Sequence, residues 1–401
     1  MGGATASTAV KSPLGPNPLI AYLRRHGCVQ AGATELVLAR ETGMCKGVRR
    51  ALAMVDRAHV SLSSGRGLLL LRPIIHNPTV GRWLKAEGVE TVDAESPCWW
   101  AALSVSDTVI IPAFGATVTE EAQLRDAGVG IVDTTCPSVR AVWVRVAAYA
   151  RDGFTTVLHG RPDHPETRAT LSRATAGGGH YVVVPDVAGA QALAEAIIRG
   201  DSTLPGQFLA PGFHSPGLDP ARDLQRLGLV NQTTMLARES LEIADVLRAA
   251  ARGQFGADAA TYFRSFGTIC RATQEHQDAV RHLAERSLDL MIVVGGHESS
   301  NTRHLAELAA GYVRTVHVEG PEGLLSLRRV RHQPQGSRDA IEADISWLAG
   351  RPQRVVGFAG GASTPDAEVG ETMVRLLTLL GDPHPLLEEN GPWGGEEPAA
   401  G

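Results

Sequence analysis

Apolar runs of strand length alternate with segments of helical periodicity from about residue 35 to residue 380, and this alternation most constrains the fold. The runs are rich in β-branched residues, which fit a pleated sheet. Strands that alternate with helices are typical of parallel sheets covered by helices. The sequence therefore predicts an α/β fold with strands at 35–39, 67–71, 108–112, 156–159, 181–184, 288–294, 315–318 and 354–358.

Composition excludes several classes of protein. The chain has 401 residues, of which 43% are hydrophobic, so it is long enough to bury a large core. Its formal net charge of −5 lacks the basic excess of nucleic-acid-binding proteins, and we expect no nucleic-acid partner. Its apolar runs are shorter than the roughly 18–20 residues of a transmembrane helix, so we expect no membrane association.

Three cysteines share one local context. Each follows a predicted strand and opens a predicted helix, in the segments GMCKGVRRALAMV (Cys45), TTCPSVRAVWVRVA (Cys136) and TICRATQEHQDAVRHLA (Cys270). The dipole at a helix N-terminus favours a thiolate and anionic ligands. If the three units face a common centre, the thiolates could hold one iron–sulfur cluster with an iron open to substrate. By spacing alone, three buried structural cysteines fit at least as well.

The other two cysteines lack this context. Cys28 lies in the N-terminal segment and Cys98 in a Pro-Cys-Trp-Trp loop. Five widely spaced cysteines make a poor disulfide framework, which indicates a reducing compartment.

Two strand-to-helix turns have the character of phosphate-binding sites. Residues 290–294 lead into Gly-Gly-His-Glu-Ser-Ser-Asn at 295–301, and residues 355–358 lead towards Gly-Gly-Ala-Ser-Thr-Pro at 360–365. Both offer backbone N–H groups at a helix N-terminus together with polar side chains, which suits a diphosphate. Neither turn carries the lysine of a Walker loop, so NTP hydrolysis is not indicated. Each turn alone also fits a simple capped helix start.

Three further polar groups lie at predicted strand ends. They are His76-Asn77-Pro78-Thr79, His164-Pro165-Glu166-Thr167 and Asn231-Gln232-Thr233-Thr234. A single histidine or threonine in such a place is commonly a surface group with its hydrogen bonds satisfied. Glu166 is a candidate proton donor, because its pKa rises if the carboxyl is desolvated.

At these residues the chain resembles the 4-hydroxy-3-methylbut-2-enyl diphosphate reductase family (IspH/LytB), which completes the methylerythritol phosphate route to isoprenoids. The resemblance spans about residues 35–380 and is closest to the plant and cyanobacterial branch. Its motifs occur in the family's order: the Cys45 segment, HNPTV (76–80), PAFGA (112–116), DTTCP (133–137), HPE (164–166), NQTTML (231–236), CRATQEHQDA (270–279), SSN (299–301) and GAS (361–363).

The resemblance implies a fold, a cofactor and the roles of particular residues. It implies three pseudo-equivalent α/β domains in a cloverleaf around a central 4Fe–4S cluster, held by Cys45, Cys136 and Cys270. Glu166 is implied as the proton donor, with Thr233 orienting the substrate hydroxyl and the proton relay. The residues implied to bind the diphosphate are His76, His164, Ser299, Ser300, Asn301 and Ser363, and Thr233 is also a substrate contact.

The implied reaction is a two-electron reductive dehydroxylation that yields isopentenyl and dimethylallyl diphosphate. The implied electron donor is ferredoxin or flavodoxin, and the implied location is the bacterial cytoplasm, or the plastid stroma in a plant or alga. Four positions depart from common family residues, namely Lys46, Phe114, His276 and Glu298. A divergent paralogue, acting as a sensor or on another allylic diphosphate, and a lyase-type cluster enzyme that uses no electrons remain as alternatives.

The sequence also predicts domain limits. We expect a disordered extension at 1–34, α/β domains at 35–136, 137–268 and 269–381, and a disordered tail at 382–401. The second domain is predicted to contain an inserted loop at about 201–225, where proline and glycine are concentrated.

Overall fold

A computed structural model describes residues 12–61, 67–337 and 339–383. The α-helices of these residues are α1 (Pro18–His26), α2 (Lys46–Ser61), α3 (Pro78–Ala86), α4 (Val118–Asp126), α5 (Pro137–Arg151), α6 (Pro165–Ala176), α7 (Val187–Arg199), α8 (Pro220–Asp223), α9 (Ala237–Phe255), α10 (Ala259–Tyr262), α11 (Arg271–Ala284), α12 (Ser300–Ala310) and α13 (Asp366–Leu380).

The strands follow the predicted apolar runs closely, and further short strands join them. They are β1 (Cys28–Ala31), β2 (Thr34–Leu38), β3 (Leu68–Leu70), β4 (Glu90–Thr91), β5 (Thr108–Ile111), β6 (Gly130–Asp133), β7 (Thr155–His159), β8 (Tyr181–Val184), β9 (Leu227–Asn231), β10 (Phe263–Ser265), β11 (Leu290–Val294), β12 (Thr315–Val318), β13 (Leu324–Ser326), β14 (Arg329–His332), β15 (Ile341–Ala343) and β16 (Arg354–Gly360).

The chain divides into two compact units. Unit 1 comprises Met1–Lys46, Ile75–Gly88 and Glu275–Gly401. Unit 2 comprises Gly47–Ile74 and Val89–Gln274.

Unit 1 is built on a five-stranded sheet with the order β1-β2-β16-β11-β12. Its strands are parallel except for β1, which pairs antiparallel with β2. A three-stranded antiparallel sheet of β13, β14 and β15 accompanies it. Buried side chains of α1, α13 and the sheet, such as Leu19, Met373 and Phe358, form one hydrophobic core.

Unit 2 contains two four-stranded parallel sheets, with the orders β4-β3-β5-β6 and β10-β9-β7-β8. Each sheet has its own core, one around Val109 and Ile111 and the other around Val157 and Leu229. The α/β class predicted from the sequence is confirmed. The division into three domains stays a prediction.

The predicted context of the three cysteines is confirmed. Cys45 directly precedes α2, Cys136 directly precedes α5, and Cys270 directly precedes α11. A short loop connects each helix to the strand before it. The preceding strands β2, β6 and β10 end at Leu38, Asp133 and Ser265.

The predicted disorder of residues 1–34 is wrong for residues 12–34, while residues 1–11 lie outside the described residues. Asn17 caps α1 by accepting a hydrogen bond from the backbone N–H of Ile20, and Pro18 fits the first helical position. Leu19, Ile20 and Leu23 are buried in the hydrophobic core of unit 1. Their burial orders a segment that has little signal of its own.

The strand β2 also differs from the predicted domain limits. It pairs with β16, with Leu36 opposite Val356, rather than with the strands that follow it in the chain. A parallel partner some 320 residues away leaves no local sequence signal.

The inserted loop and the tail contain more order than the sequence indicates. The insertion holds α8 and adds an antiparallel bridge between His214 and Val182 at the edge strand β8. At the predicted start of the tail, Asp382 forms a buried ion pair with Arg354 at 2.7 Å. Disorder at 382–383 is therefore wrong, and residues 384–401 lie outside the described residues.

Candidate active site

Two polar loops of unit 2 meet because their strands are neighbours. The strands β7 and β9 are parallel neighbours, with His159 opposite Asn231, so both strands end at the same edge of the sheet. The segment after β7 carries His164 and leads into α6 with Glu166 in its first turn, and the loop after β9 carries Thr233. Ligands of open α/β sheets commonly bind at this carboxyl edge.

Glu166 is buried in the first turn of α6 and is held by Thr233. Its side chain is only 4% exposed. Oε1 accepts a hydrogen bond of 2.6 Å from the Thr233 backbone N–H, and Oε2 accepts one of 2.9 Å from the Thr233 hydroxyl. His164 caps the same helix, because its Nδ1 accepts a hydrogen bond of 3.2 Å from the Glu166 N–H.

Burial raises the pKa of Glu166 to about 7, although the backbone and hydroxyl hydrogen bonds from Thr233 oppose the rise. A carboxyl with a pKa near neutrality is available as a general acid at physiological pH. The sequence predicted this role for Glu166 only on the condition that the residue is desolvated, and the structure meets that condition.

The loop that positions Thr233 also positions Cys270. The Thr233 carbonyl accepts a hydrogen bond of 3.1 Å from the Cys270 N–H. The Cys270 sulfur in turn accepts one of 3.3 Å from the Thr273 N–H, and lies 3.1 Å from the Thr273 hydroxyl. Glu166, Thr233 and Cys270 therefore belong to one hydrogen-bonded group within unit 2.

Cys136 and Cys45 have comparable surroundings. Cys136 is the N-cap residue of α5, and its N–H donates to the Ala113 carbonyl at 2.8 Å. Cys45, in unit 1, donates its N–H to the Ala362 carbonyl at 3.0 Å. All three cysteines are half-buried. A cysteine binds a metal as the thiolate, which the dipole at a helix N-terminus favours.

This donor set fits a three-cysteine cluster in chemical type. Within the described ranges, no three His, Cys, Asp or Glu side chains form a group that could hold a single metal ion. In a cluster each sulfur binds its own iron at about 2.3 Å, so the ligand sulfurs lie roughly 6–7 Å apart. Ligands of a single metal ion lie closer together than this. Since Cys45 lies in unit 1 and the other two in unit 2, the convergence of the three thiols stays a prediction.

Unit 1 brings together several residues of the predicted diphosphate site. The Ser363 hydroxyl lies 3.5 Å from the His76 carbonyl and 3.4 Å from the Ser299 hydroxyl. Ser299 caps α12, and the Asn301 side chain accepts a hydrogen bond of 2.8 Å from the Ala362 N–H. Ser300, the first residue of α12, is buried beside them.

Gly296 allows the loops of His76 and Ser299 to approach each other. A Cβ atom at Gly296 would lie 2.6 Å from the His76 carbonyl oxygen, which is closer than real Cβ contacts. Only glycine fits between these backbones. Helices α3, α12 and α13 therefore begin near one another, and each N-terminus favours an anion. His164 lies in unit 2, so its place beside these residues stays a prediction.

The chain matches the family model described as LytB protein over residues 36–377. This chain belongs to the LytB family. It is 39% identical to 4-hydroxy-3-methylbut-2-enyl diphosphate reductase of Synechococcus sp. (strain WH7803) over 368 residues, which are 90% of each chain. It is also 39% identical to the reductase of the same name from Gloeobacter violaceus over 373 residues, covering 90% of this chain and 87% of that one.

Solved structures agree with this membership. A structure of (E)-4-hydroxy-3-methyl-but-2-enyl diphosphate reductase, described as the terminal enzyme of the non-mevalonate pathway, is similar at 28% identity and a TM-score of 0.51. The similarity covers 86% of this chain and 99% of that chain. The Plasmodium falciparum reductase shares the fold at a TM-score of 0.63 and 22% identity, over 86% of this chain and 87% of that one.

The four positions that the sequence analysis predicts to depart from common family residues have distinct surroundings. His276 is buried and its Nε2 lies 3.0 Å from the Gly43 carbonyl, in the loop that leads to Cys45. Phe114 is buried with its ring 6.2 Å from that of His164. Lys46 and Glu298 are exposed.

None of the helices in the described part of this LytB chain combines the length and apolar character needed to cross a membrane.

Sequence analysis missed one buried residue that contacts the predicted diphosphate-binding loops. Glu368, in the first turn of α13, is buried and accepts hydrogen bonds from Asn77 and Thr79. An acidic residue in a first helical turn is a common sequence feature, and nothing in the local sequence distinguishes this one from an exposed carboxylate.

Proposed function

We infer that this LytB-family chain is a 4-hydroxy-3-methylbut-2-enyl diphosphate reductase. It removes the allylic hydroxyl of its substrate and yields isopentenyl and dimethylallyl diphosphate. The C–O bond breaks, two electrons and one proton go to the allyl carbon skeleton, and a second proton leaves with the oxygen as water. The observation that carries this function is the buried Glu166 carboxyl, held by Thr233 at the sheet edge where Cys270 begins its helix.

Cys45, Cys136 and Cys270 are the proposed ligands of a 4Fe–4S cluster. When bound, such a cluster supplies electrons and a Lewis-acidic iron for breaking a C–O bond. The three helix N-termini stabilise the negative charge of the thiolates.

Glu166 is the proposed proton donor, and its hydrogen bonds determine where the proton resides. Oε1 faces the backbone N–H of Thr233, which is always a donor, so Oε1 must accept. In the neutral acid the proton therefore lies on Oε2, beside the Thr233 hydroxyl. That hydroxyl can accept this proton's hydrogen bond and direct its own proton towards the departing oxygen, which makes Thr233 a relay.

His76, Ser299, Ser300, Asn301 and Ser363 are proposed to bind the diphosphate, together with His164. Hydroxyl, amide and imidazole donors at helix N-termini provide charge-assisted hydrogen bonds to phosphate oxygens. This binding energy is remote from the C–O bond and fixes the allylic end of the substrate in the orientation that proton transfer requires.

We propose a ferredoxin or flavodoxin as the electron donor, because each turnover consumes two electrons that an external reductant must supply. We propose the bacterial cytoplasm as the location, or the plastid stroma if the chain is from a plant or alga. A sensor is not favoured, because it needs neither a proton donor nor the relay.

Anaerobic purification followed by an absorption spectrum and iron analysis tests the cofactor. Turnover of the diphosphate with dithionite or reduced viologen tests the reaction. A brown protein that forms both products confirms the proposal. A brown protein without turnover under strong reductant contradicts the reductase and supports a divergent paralogue.

A further inference from the structure

One buried carboxyl of unit 1 joins the starts of two helices. Glu368 lies in the first turn of α13 and is 3% exposed. Its Oε2 accepts a hydrogen bond of 2.8 Å from the Asn77 amide, and its Oε1 accepts one of 2.7 Å from the Thr79 hydroxyl. Both donors belong to the beginning of α3, so a single side chain links α13 to α3.

The Asn77 side chain is fixed at both ends of its amide. Its Oδ1 accepts a hydrogen bond of 2.9 Å from the Val80 N–H and so caps α3. Its Nδ2 donates to Glu368. Without the carboxyl, the buried Nδ2 would lose its acceptor, and a buried amide without a partner is costly. Glu368 therefore holds the orientation of Asn77 and, through the backbone, the turn at His76.

The turn at His76 is one of the loops of the proposed diphosphate site. Its carbonyl oxygen lies 3.5 Å from the Ser363 hydroxyl and 2.6 Å from the position that a Cβ atom at Gly296 would take. Ser363 lies five residues before Glu368 in the loop that leads into α13. The carboxyl thus fixes the loop of His76 relative to the loop of Ser363, which are two of the three loops of the proposed diphosphate site.

Two charged groups lie near this carboxyl, one from α3 and one from the segment after β12. Arg82 of α3 lies 3.1 Å from the Thr79 hydroxyl and 3.4 Å from Glu322, which follows β12 near Gly320. Burial raises the pKa of Glu368 to about 7, with opposing hydrogen bonds from Thr79 and Asn77, a further rise from Glu322 and a lowering by Arg82.

We propose that Glu368 is a positioning residue for the diphosphate, acting through Asn77 on the turn at His76 and through α13 on Ser363. This inference rests on the diphosphate-binding part of the proposed function. Glu368 itself does not need to touch the substrate. Its contribution is to hold loops from distant parts of the chain at the separation that two phosphates require.

Three variants separate this role from general stabilisation. Glu368→Ala removes both acceptors. Glu368→Gln keeps both hydrogen bonds, because its amide oxygen can accept from Asn77 while its NH₂ group donates to the Thr79 oxygen. Glu371→Ala removes an exposed carboxylate one turn further along α13 and serves as the matched control.

The measurements are the dissociation constant of inorganic diphosphate, determined by calorimetry on the anaerobically prepared full chain, and KM and kcat for the allylic diphosphate. We expect Glu368→Ala to weaken diphosphate binding roughly 3- to 30-fold and to raise KM by a larger factor than it lowers kcat. Glu368→Gln should restore most of the affinity, and Glu371→Ala should match the wild type.

The possible failures are distinguishable. If the wild type does not bind inorganic diphosphate, the diphosphate part of the proposed function fails. If the wild type binds it and folded Glu368→Ala binds it equally well, the positioning role is refuted while the proposed function stands. Should Glu368→Ala not fold, Thr79→Val removes one of the two hydrogen bonds, and unchanged affinity in that variant refutes the inference.

Discussion

The backbone N–H and the hydroxyl of Thr233 donate to the two oxygens of the same Glu166 carboxyl, at 2.6 and 2.9 Å. One residue thus fixes both the orientation of the buried acid and the oxygen that carries its proton. The relationship exists because β7 and β9 are neighbouring parallel strands. It also gives each partner a separately testable role.

Glu166→Gln should retain substrate binding and lose turnover. The carboxamide preserves both hydrogen bonds with Thr233 but cannot supply a proton to the departing oxygen. General acid catalysis contributes about 10²–10⁴-fold, so kcat should fall by that factor while the affinity for the diphosphate changes little. Steady-state kinetics and calorimetry measure the two effects. A near-normal kcat would show that a group other than Glu166 donates the proton.

The pH dependence of kcat should reveal the same acid. Burial raises the pKa of Glu166 to about 7. A proton donor works only when protonated, so kcat should be highest below pH 7 and decline as the pH rises through about 7 and above. A profile measured with a pH-independent reductant tests this, and a flat profile from pH 6 to 9 would contradict the assignment.

Thr233→Val should move that decline to higher pH. The substitution removes the hydroxyl hydrogen bond that lowers the pKa of Glu166 and leaves the backbone N–H in place. It should also reduce kcat, because the relay is lost. Thr233→Ser keeps the hydroxyl and is the matched control, and a serine variant that behaved like valine would exclude a role for the hydroxyl.

Replacement of the proposed cluster ligands should remove the cofactor. Cys45→Ser, Cys136→Ser and Cys270→Ser each substitute a hydroxyl, which is a far poorer iron ligand than a thiolate. We expect loss or lability of the brown colour and reduced iron content in all three variants. Cys98→Ser changes an exposed cysteine and should leave both unchanged. A stable, fully loaded Cys136→Ser protein would exclude that ligand.

The ion pair between Arg354 and Asp382 should stabilise unit 1. The two side chains are 5% and 8% exposed, and Asp382 also accepts a hydrogen bond from the Thr34 hydroxyl. Breaking a buried pair from one side costs about 3–5 kcal/mol, so Asp382→Ala should lower the free energy of unfolding by that order. Chemical denaturation measures it, with Asp339→Ala, an exposed aspartate, as the control.

Much of the fold was predictable because its signal is local. The β-branched runs predicted the observed bounds of the strands Tyr181–Val184 and Thr315–Val318, and the amphipathic pattern after Cys136 predicted α5. The residues of the candidate site were named for the same reason, since strand-to-helix turns carry recognisable polar motifs.

What the tertiary structure decided depends on partners far apart in the chain. The order of residues 12–34 comes from burial of Leu19 and its neighbours in the core of unit 1, and β2 is placed by its pairing with β16. The buried state of Glu166 and the link from Glu368 to Asn77 join residues separated by 67 and 291 positions. Local sequence specifies which groups can act as acid or ligand, but their pKa values and hydrogen bonds depend on desolvation and on neighbours that only the folded chain supplies.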